Sequence, residues 1–96
     1  MQEVKLELNE KGHGKFYIKD GGQQIGEMVA FVAETELTVY HTEVSPEREG
    51  EGLSKLLLGA MVAHARKNNL QVIPLCSFVQ VQFKRHPEEY ADVWKK

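Results

Sequence analysis

The hydrophobic period of this chain changes once, near its midpoint, and that change restricts the fold more than any other feature. Up to Val44 apolar residues alternate with polar ones: Val4, Leu6 and Leu8 are separated by Lys5 and Glu7, and Leu37 and Val39 by Thr38. A period of two belongs to strands. From Leu53 onward Leu53, Leu56, Leu57, Ala60, Met61, His64 and Ala65 recur at helical spacing, the apolar stripe of an amphipathic helix. A set of strands followed by a long helix, in 96 residues, predicts an α+β (α/β) domain with a single core, spanning residues 1–96.

Turn residues divide the first half into about four strands. Residues 4–8 lead to Gly12-His13-Gly14, residues 15–20 follow, and Asp20-Gly21-Gly22 marks a second turn because glycine reaches positive φ without a Cβ clash. Residues 24–33 form a longer strand, and its apolar run from Met28 to Ala33 predicts cover on both faces. In residues 36–44 simple alternation places Leu37, Val39, His41 and Glu43 on one face and Thr38, Tyr40, Thr42 and Val44 on the other. The long helix stops at Asn68-Asn69, where asparagine tolerates the left-handed closing conformation. Residues 71–76 read as a short buried strand, so the intervening helix is a right-handed crossover and strands 36–44 and 71–76 run parallel. Ser77 is placed to cap a shorter helix over residues 78–85, ended by His86-Pro87. Tyr90, Val93 and Trp94 then fold back onto the domain.

Composition removes several function classes. The net charge is −2, with no basic stripe to track a phosphate backbone, so nucleic acid is not expected as a partner. The longest apolar stretch, residues 56–63, is far short of the roughly 20 residues needed to span a bilayer. The amino terminus lacks the continuous apolar segment of a secretion signal, and one cysteine suits a reducing cytoplasm. His13 falls in a turn and His86 beside a proline, and no histidine has metal-ligand spacing to another His or Cys, so no metal site is expected. A charged surface without an apolar stripe to spare predicts a monomer.

The segment richest in chemical meaning is Ser45-Pro-Glu-Arg-Glu-Gly-Glu-Gly-Leu-Ser54, which runs from a strand directly into the long helix. Amides at a helix amino terminus have no partners within the helix and the macrodipole is positive there, so a phosphate or pyrophosphate can bind to backbone alone. The plain alternative is a turn whose acidic residues complement the dipole. The segment is neither a Walker loop, which needs Gly-Lys-Ser/Thr, nor a Gly-x-Gly-x-x-Gly dinucleotide fingerprint.

Taken together, His41-Thr-Glu-Val44, Gly50-Glu-Gly52, Ala65-Arg66 with Leu70, Pro74-Leu-Cys76-Ser-Phe78 and Tyr90-Ala-Asp92 resemble the small, single-domain GNAT-like (GCN5-related) acetyltransferase family over nearly the whole chain. The resemblance implies a mostly antiparallel sheet with one parallel βαβ crossover, acetyl-CoA as co-substrate and an amine as acceptor. It also implies that the loop amides hold the coenzyme A pyrophosphate and that the pantetheine arm lies along residues 36–44, where that strand splays from the one ending at Cys76. The cofactor-binding set carried over is Thr42, Val44, Glu49, Gly50, Gly52, Leu53, Ser54 and Lys55. The family's loop reads Gln/Arg-x-x-Gly-x-Gly/Ala, so Glu49 stands here in place of Gln or Arg and Ser54 in place of the last small residue. A carboxylate about 4 Å from a phosphate would cost roughly 1–4 kcal/mol, unless Glu49 and Glu51 face solvent or Arg48 and Lys55 offset them. The family often carries Lys where Gln80 stands.

Two residues are the catalytic candidates. Cys76 reads either as a small core residue or as a thiol at a strand-to-helix junction; the resemblance puts it beside the thioester, as acetyl acceptor or, preferably, as proton donor to the departing thiolate. His41 reads either as a histidine satisfied by backbone or as the base that takes the amine proton, with Thr42 orienting it. His64 lies on the helix stripe and is expected at the core edge, Lys84 and Arg85 in solvent, and Tyr90 and Trp94 in structural packing. Beside acetyl transfer stand two other functions: a module that holds coenzyme A without efficient turnover, and an interaction domain in which Glu49 and Glu51 fill the anion site themselves.

Overall fold

The structure, a computed structural model, describes residues 3–95. Five strands form one sheet in the order β1-β2-β3-β4-β5, where β1 is Val4–Leu8, β2 His13–Asp20, β3 Gln23–Ala33, β4 Glu36–Val44 and β5 Gln71–Pro74. Neighbours are antiparallel through β4, and β4 and β5 are parallel. The crossover between them is helix α1, Leu53–Lys67, and a second helix α2, Ser77–Arg85, follows β5. No helix among the described residues is long and apolar enough to cross a membrane.

The first turn is tighter than its glycines suggest. Asn9 Oδ1 accepts the amides of Lys11 and His13 at 2.9 and 3.0 Å, so β2 begins at His13 and Gly14 lies inside the strand. A Cβ at Gly14 would sit 1.8 Å from the Glu7 carbonyl oxygen, so the sheet needs glycine there for close approach.

α1 packs on one face of the sheet, with Leu57 Cδ1 3.5 Å from the place a Cβ on Gly26 would take. Its buried residues are Leu53, Leu57, Leu58, Met61, Val62 and Ala65. The stripe is therefore turned about its axis from the one expected: Leu58 and Val62 point inward, Ala60 and His64 are half-buried, and Leu56 is 39% exposed. Each fully buried aliphatic side chain there contributes about 1.5–3 kcal/mol. The helix closes as expected at Asn68 and Asn69, with Asn69 at φ 56 and the Leu70 amide bonded to the Ala65 carbonyl at 2.8 Å. Arg66 leaves this last turn to bind the Asp92 carboxylate at 2.9 Å and the Glu89 carbonyl at 2.8 Å, tying the carboxy-terminal segment to α1.

Other expectations are corrected. Within the run from Met28 to Ala33 only Met28 and Ala30 are buried, whereas Val29 and Phe31 on the far face stay half-covered; the run is apolar on both faces but packed on one. β5 ends at Pro74, which has no amide to continue the ladder, and only Val72 in it is fully buried. α2 begins at Ser77 with Cys76 as its N-cap, one residue ahead of the expected cap, and no side chain caps it. Phe83 of α2 stacks on Tyr90 at 4.7 Å and meets Trp94 edge-on at 5.6 Å, so the carboxy-terminal aromatics close the core as expected.

Candidate functional site

The ladder between β3 and β4 is regular except at one residue. Val39 pairs with Ala30 and His41 with Val29, which leaves Tyr40 without a partner across the strand. An extra residue of this kind bends and twists the strand that carries it. It also resets the alternation. Paired residues share a face, so Thr42, opposite Met28, and Val44, opposite Gly26, join Leu37 and Val39 on the α1 face. His41 and Glu43 point to the far face, opposite Val29 and Glu27. Simple alternation had placed His41 with Leu37 and Val39, and Thr42 with Thr38; the bulge inverts that arrangement for residues 41–44.

β4 and β5 part company at the same place. Their pairing ends with Val39 opposite Pro74, and the amides of Leu75 and Cys76 both turn onto the Val39 carbonyl at 3.0 Å. Beyond Val39 the β5-facing edge of β4 is open. Cys76, 5% exposed, sits at the head of this opening, and its Sγ lies 3.2 Å from Thr42 Oγ1. The structure therefore brings Thr42 to Cys76 and not to His41. His41 Nε2 lies 3.2 Å from Glu43 Oε1, with both side chains more than half exposed. Gln80 donates to the Pro74 carbonyl at 2.9 Å and so braces the start of α2 from within.

The other end of the opening leads through a short 3-10 turn, Pro46–Arg48, to the amino terminus of α1. Gly50 at φ 91 and Gly52 at φ 76 carry the chain through the left-handed region, where any side chain would be strained. Gly52 is the N-cap, no side chain caps the helix, and no acidic residue lies in its first turn. The first amide bonded back into the helix is that of Leu56, to Gly52 at 3.1 Å. The amides of Leu53, Ser54 and Lys55 thus stand ahead of the intrahelical ladder at the positive end of the dipole.

The acidic residues of the loop do not occupy that end. Arg48 takes the Glu51 carboxylate in a two-pronged contact, Nε to Oε2 at 2.7 Å and Nη2 to Oε1 at 3.0 Å, and reaches Asp20 at 3.0 Å. The Arg48 hydrogen bond holds the Glu51 carboxyl below its ordinary range, and Glu51 and then Asp20 hold the guanidinium charged beyond the ordinary range of arginine. Glu49 is exposed. The arrangement in which Glu49 and Glu51 fill the anion site is not the one found.

Two further placements complete the set. His64 is half-buried at the rim of α1 and meets Phe16 edge-on at 5.8 Å, as expected of a core-edge residue. Among the described residues no three His, Cys, Asp or Glu side chains converge as metal ligands. A cavity of about 230 Å3 lies at the ends of β3 and β4, lined by Gln24, Glu27, Glu43 and Ser45 among others, and does not include Cys76.

The fold that carries this opening is shared with known proteins. The family model for GCN5-related N-acetyl-transferases matches residues 15–93. The solution structure of a GCN5-like protein from Staphylococcus aureus superposes with a TM-score of 0.69 at 37% identity, over 99% of this chain and 91% of that one. The chain belongs to the GCN5-related N-acetyltransferase family. More distant members share the fold: the ribosomal-protein-S18-alanine N-acetyltransferase of Escherichia coli, with a TM-score of 0.62 at 18% identity, and a ribosomal-protein-alanine N-acetyltransferase of Brucella melitensis, with 0.63 at 14%. The alignments cover 69% and 91% of this chain but 43% and 64% of those two. No curated protein sequence matches significantly.

The sequence reading missed two features of this region. The bulge at Tyr40 is a relation between two strands and leaves no mark in either alone. The Thr42–Cys76 contact follows from it; Pro74 was the one local signal that β5 stops early.

Proposed function

We propose that this chain transfers an acetyl group from acetyl-CoA to an amine. The observation that carries the reading is the continuous path from Cys76 and Thr42, along the unpaired edge of β4 past Val44, to the uncapped amides at Leu53–Ser54–Lys55. An extended pantetheine arm suits an unpaired strand edge, since both can exchange amide hydrogen bonds, and a pyrophosphate suits a helix amino terminus. Gly50 and Gly52 leave the approach clear, with nothing within 4 Å of a Cβ built at either. Lys55 and Ser54 follow as further contacts. Glu49 faces solvent, where its repulsion is screened.

His41 and Cys76 then act from opposite faces of β4. The amine nitrogen bonds to the thioester carbonyl carbon and loses a proton to His41 on the far face. The carbon–sulfur bond breaks toward the side of Cys76, whose thiol gives its proton to the departing sulfur. This division of labour gives base and acid separate approaches to one carbon. A single free thiol at Cys76 suits a reducing compartment such as the cytoplasm.

The test is an amide NMR titration with acetyl-CoA and then free coenzyme A, followed by turnover with a panel of amines. Shifts confined to residues 42–44, 49–55 and 76 support the reading, and their absence at millimolar ligand would end it. Glu49, where the family has Gln or Arg, favours the second reading, a coenzyme A-binding module; binding without acetyl loss in a single-turnover assay would select it.

A further inference from the structure

We propose that Thr42 is the positioning residue for Cys76: its hydroxyl fixes the thiol in the mouth of the β4–β5 opening and supports the sulfur when the proton leaves. This rests on the acetyltransferase reading for its catalytic consequence, but the hydrogen bond is a property of the free protein.

Three observations on different elements converge on it. The bulge at Tyr40 turns Thr42 from the face that alternation would give it onto the α1 face. The convergence of the Leu75 and Cys76 amides on the Val39 carbonyl fixes the backbone that carries the thiol. The two side chains, 34 positions apart in sequence, then meet at 3.2 Å across the opening. Cys76 is 5% exposed and Thr42 half-buried, so water competes poorly for this contact.

A hydroxyl carries one donor and two acceptor sites, so Thr42 can serve both forms of the sulfur. In the resting protein the Cys76 S–H donates to Thr42 Oγ1. During transfer the C–S bond of the thioester breaks, its electron pair stays on the coenzyme sulfur, and the Cys76 proton moves to that sulfur. The Thr42 O–H then turns to donate to the thiolate left behind. Reprotonation of Cys76 by the proton released from the amine, through solvent, closes the cycle with no other reactant.

Because the chain contains one cysteine, its S–H stretching band in the infrared reports Cys76 alone. In Thr42→Val, which keeps the shape and removes the hydroxyl, the band moves to higher frequency and narrows, whereas in Thr42→Ser it stays at the wild-type position. In turnover assays Thr42→Val lowers kcat by about tenfold or more with KM for acetyl-CoA within about twofold, Thr42→Ser restores it, and Thr42→Val adds nothing in a Cys76→Ala background. An S–H band unmoved by Thr42→Val overturns the proposal whatever the protein catalyses. A moved band in a protein without any turnover leaves the hydrogen bond standing and overturns the acetyltransferase reading instead.

Discussion

Arg48 holds Glu51 through two hydrogen bonds of 2.7 and 3.0 Å, and this turns the carboxylate nearest the amino end of α1 back along the loop. The same guanidinium reaches Asp20 at the end of β2 at 3.0 Å, so one side chain ties the loop ahead of α1 to the sheet. Replacing Arg48 by Ala frees a carboxylate beside the helix terminus and removes a positive charge. Acetyl-CoA affinity is expected to weaken by about tenfold, more at low salt than at high. Arg48→Ala combined with Glu51→Ala should recover part of the loss. Isothermal titration at two ionic strengths checks this; unchanged affinity in Arg48→Ala would mean that the loop does not hold the pyrophosphate.

The two faces of α1 give a prediction about stability. Leu57 is fully buried and Leu56 is 39% exposed, although the two are adjacent. Leu57→Ala should cost about 2–5 kcal/mol, a large part of what a domain of this size has, and Leu56→Ala no more than about 0.5 kcal/mol. Urea denaturation of the two variants separates them, and comparable costs would mean that the helix presents a different face to the sheet.

These leucines also show what could be read from the chain alone. The strands, the crossover helix, its asparagine stop and the carboxy-terminal aromatic cluster each leave a local mark, because turn residues and hydrophobic period act within a few positions. Leu56, Leu57 and Leu58 are equally apolar, so the period names a helix without fixing its phase; the sheet beneath selects Leu57 and Leu58. Met28 to Ala33 is a similar case, for an apolar residue on the far face looks the same in sequence whether or not anything covers it. The site was less legible than the fold. Glycines and the helix start marked the loop at the head of α1, but the faces of His41 and Thr42 depend on Tyr40 being skipped by β3, and pairing between strands is not written in either one.

His64 gives the chain a pH dependence near neutrality. Burial, with Lys67 adding to it, holds its imidazole below the ordinary value of 6.5. As pH falls through 6.5 toward the folded value, the unfolded chain takes up a proton that the folded chain does not, and stability falls. The Asp92 and Glu51 carboxyls, held low by Arg66 and Arg48, contribute stability that is lost only in more acidic solution. His64→Gln should therefore flatten the stability profile between about pH 7 and 5.5 and leave the acid limb in place. Denaturation midpoints measured across this range check it; an unchanged slope would show that His64 is not the group that titrates.

The last prediction concerns Tyr40 itself. Deleting it leaves Val39 opposite Ala30 and His41 opposite Val29, the pairs they already form, so no side chain changes face and no core contact is lost. Tyr40 is 43% exposed, so its own packing contributes little. The deletion should keep Tm within a few degrees while removing the bend that carries β4 away from β5. With the opening narrowed, acetyl-CoA affinity is expected to fall by more than about tenfold and the Thr42–Cys76 contact to lengthen. A folded deletion variant that binds acetyl-CoA as tightly as the parent would show that β5, turning away at Pro74, opens the site without help from the bulge.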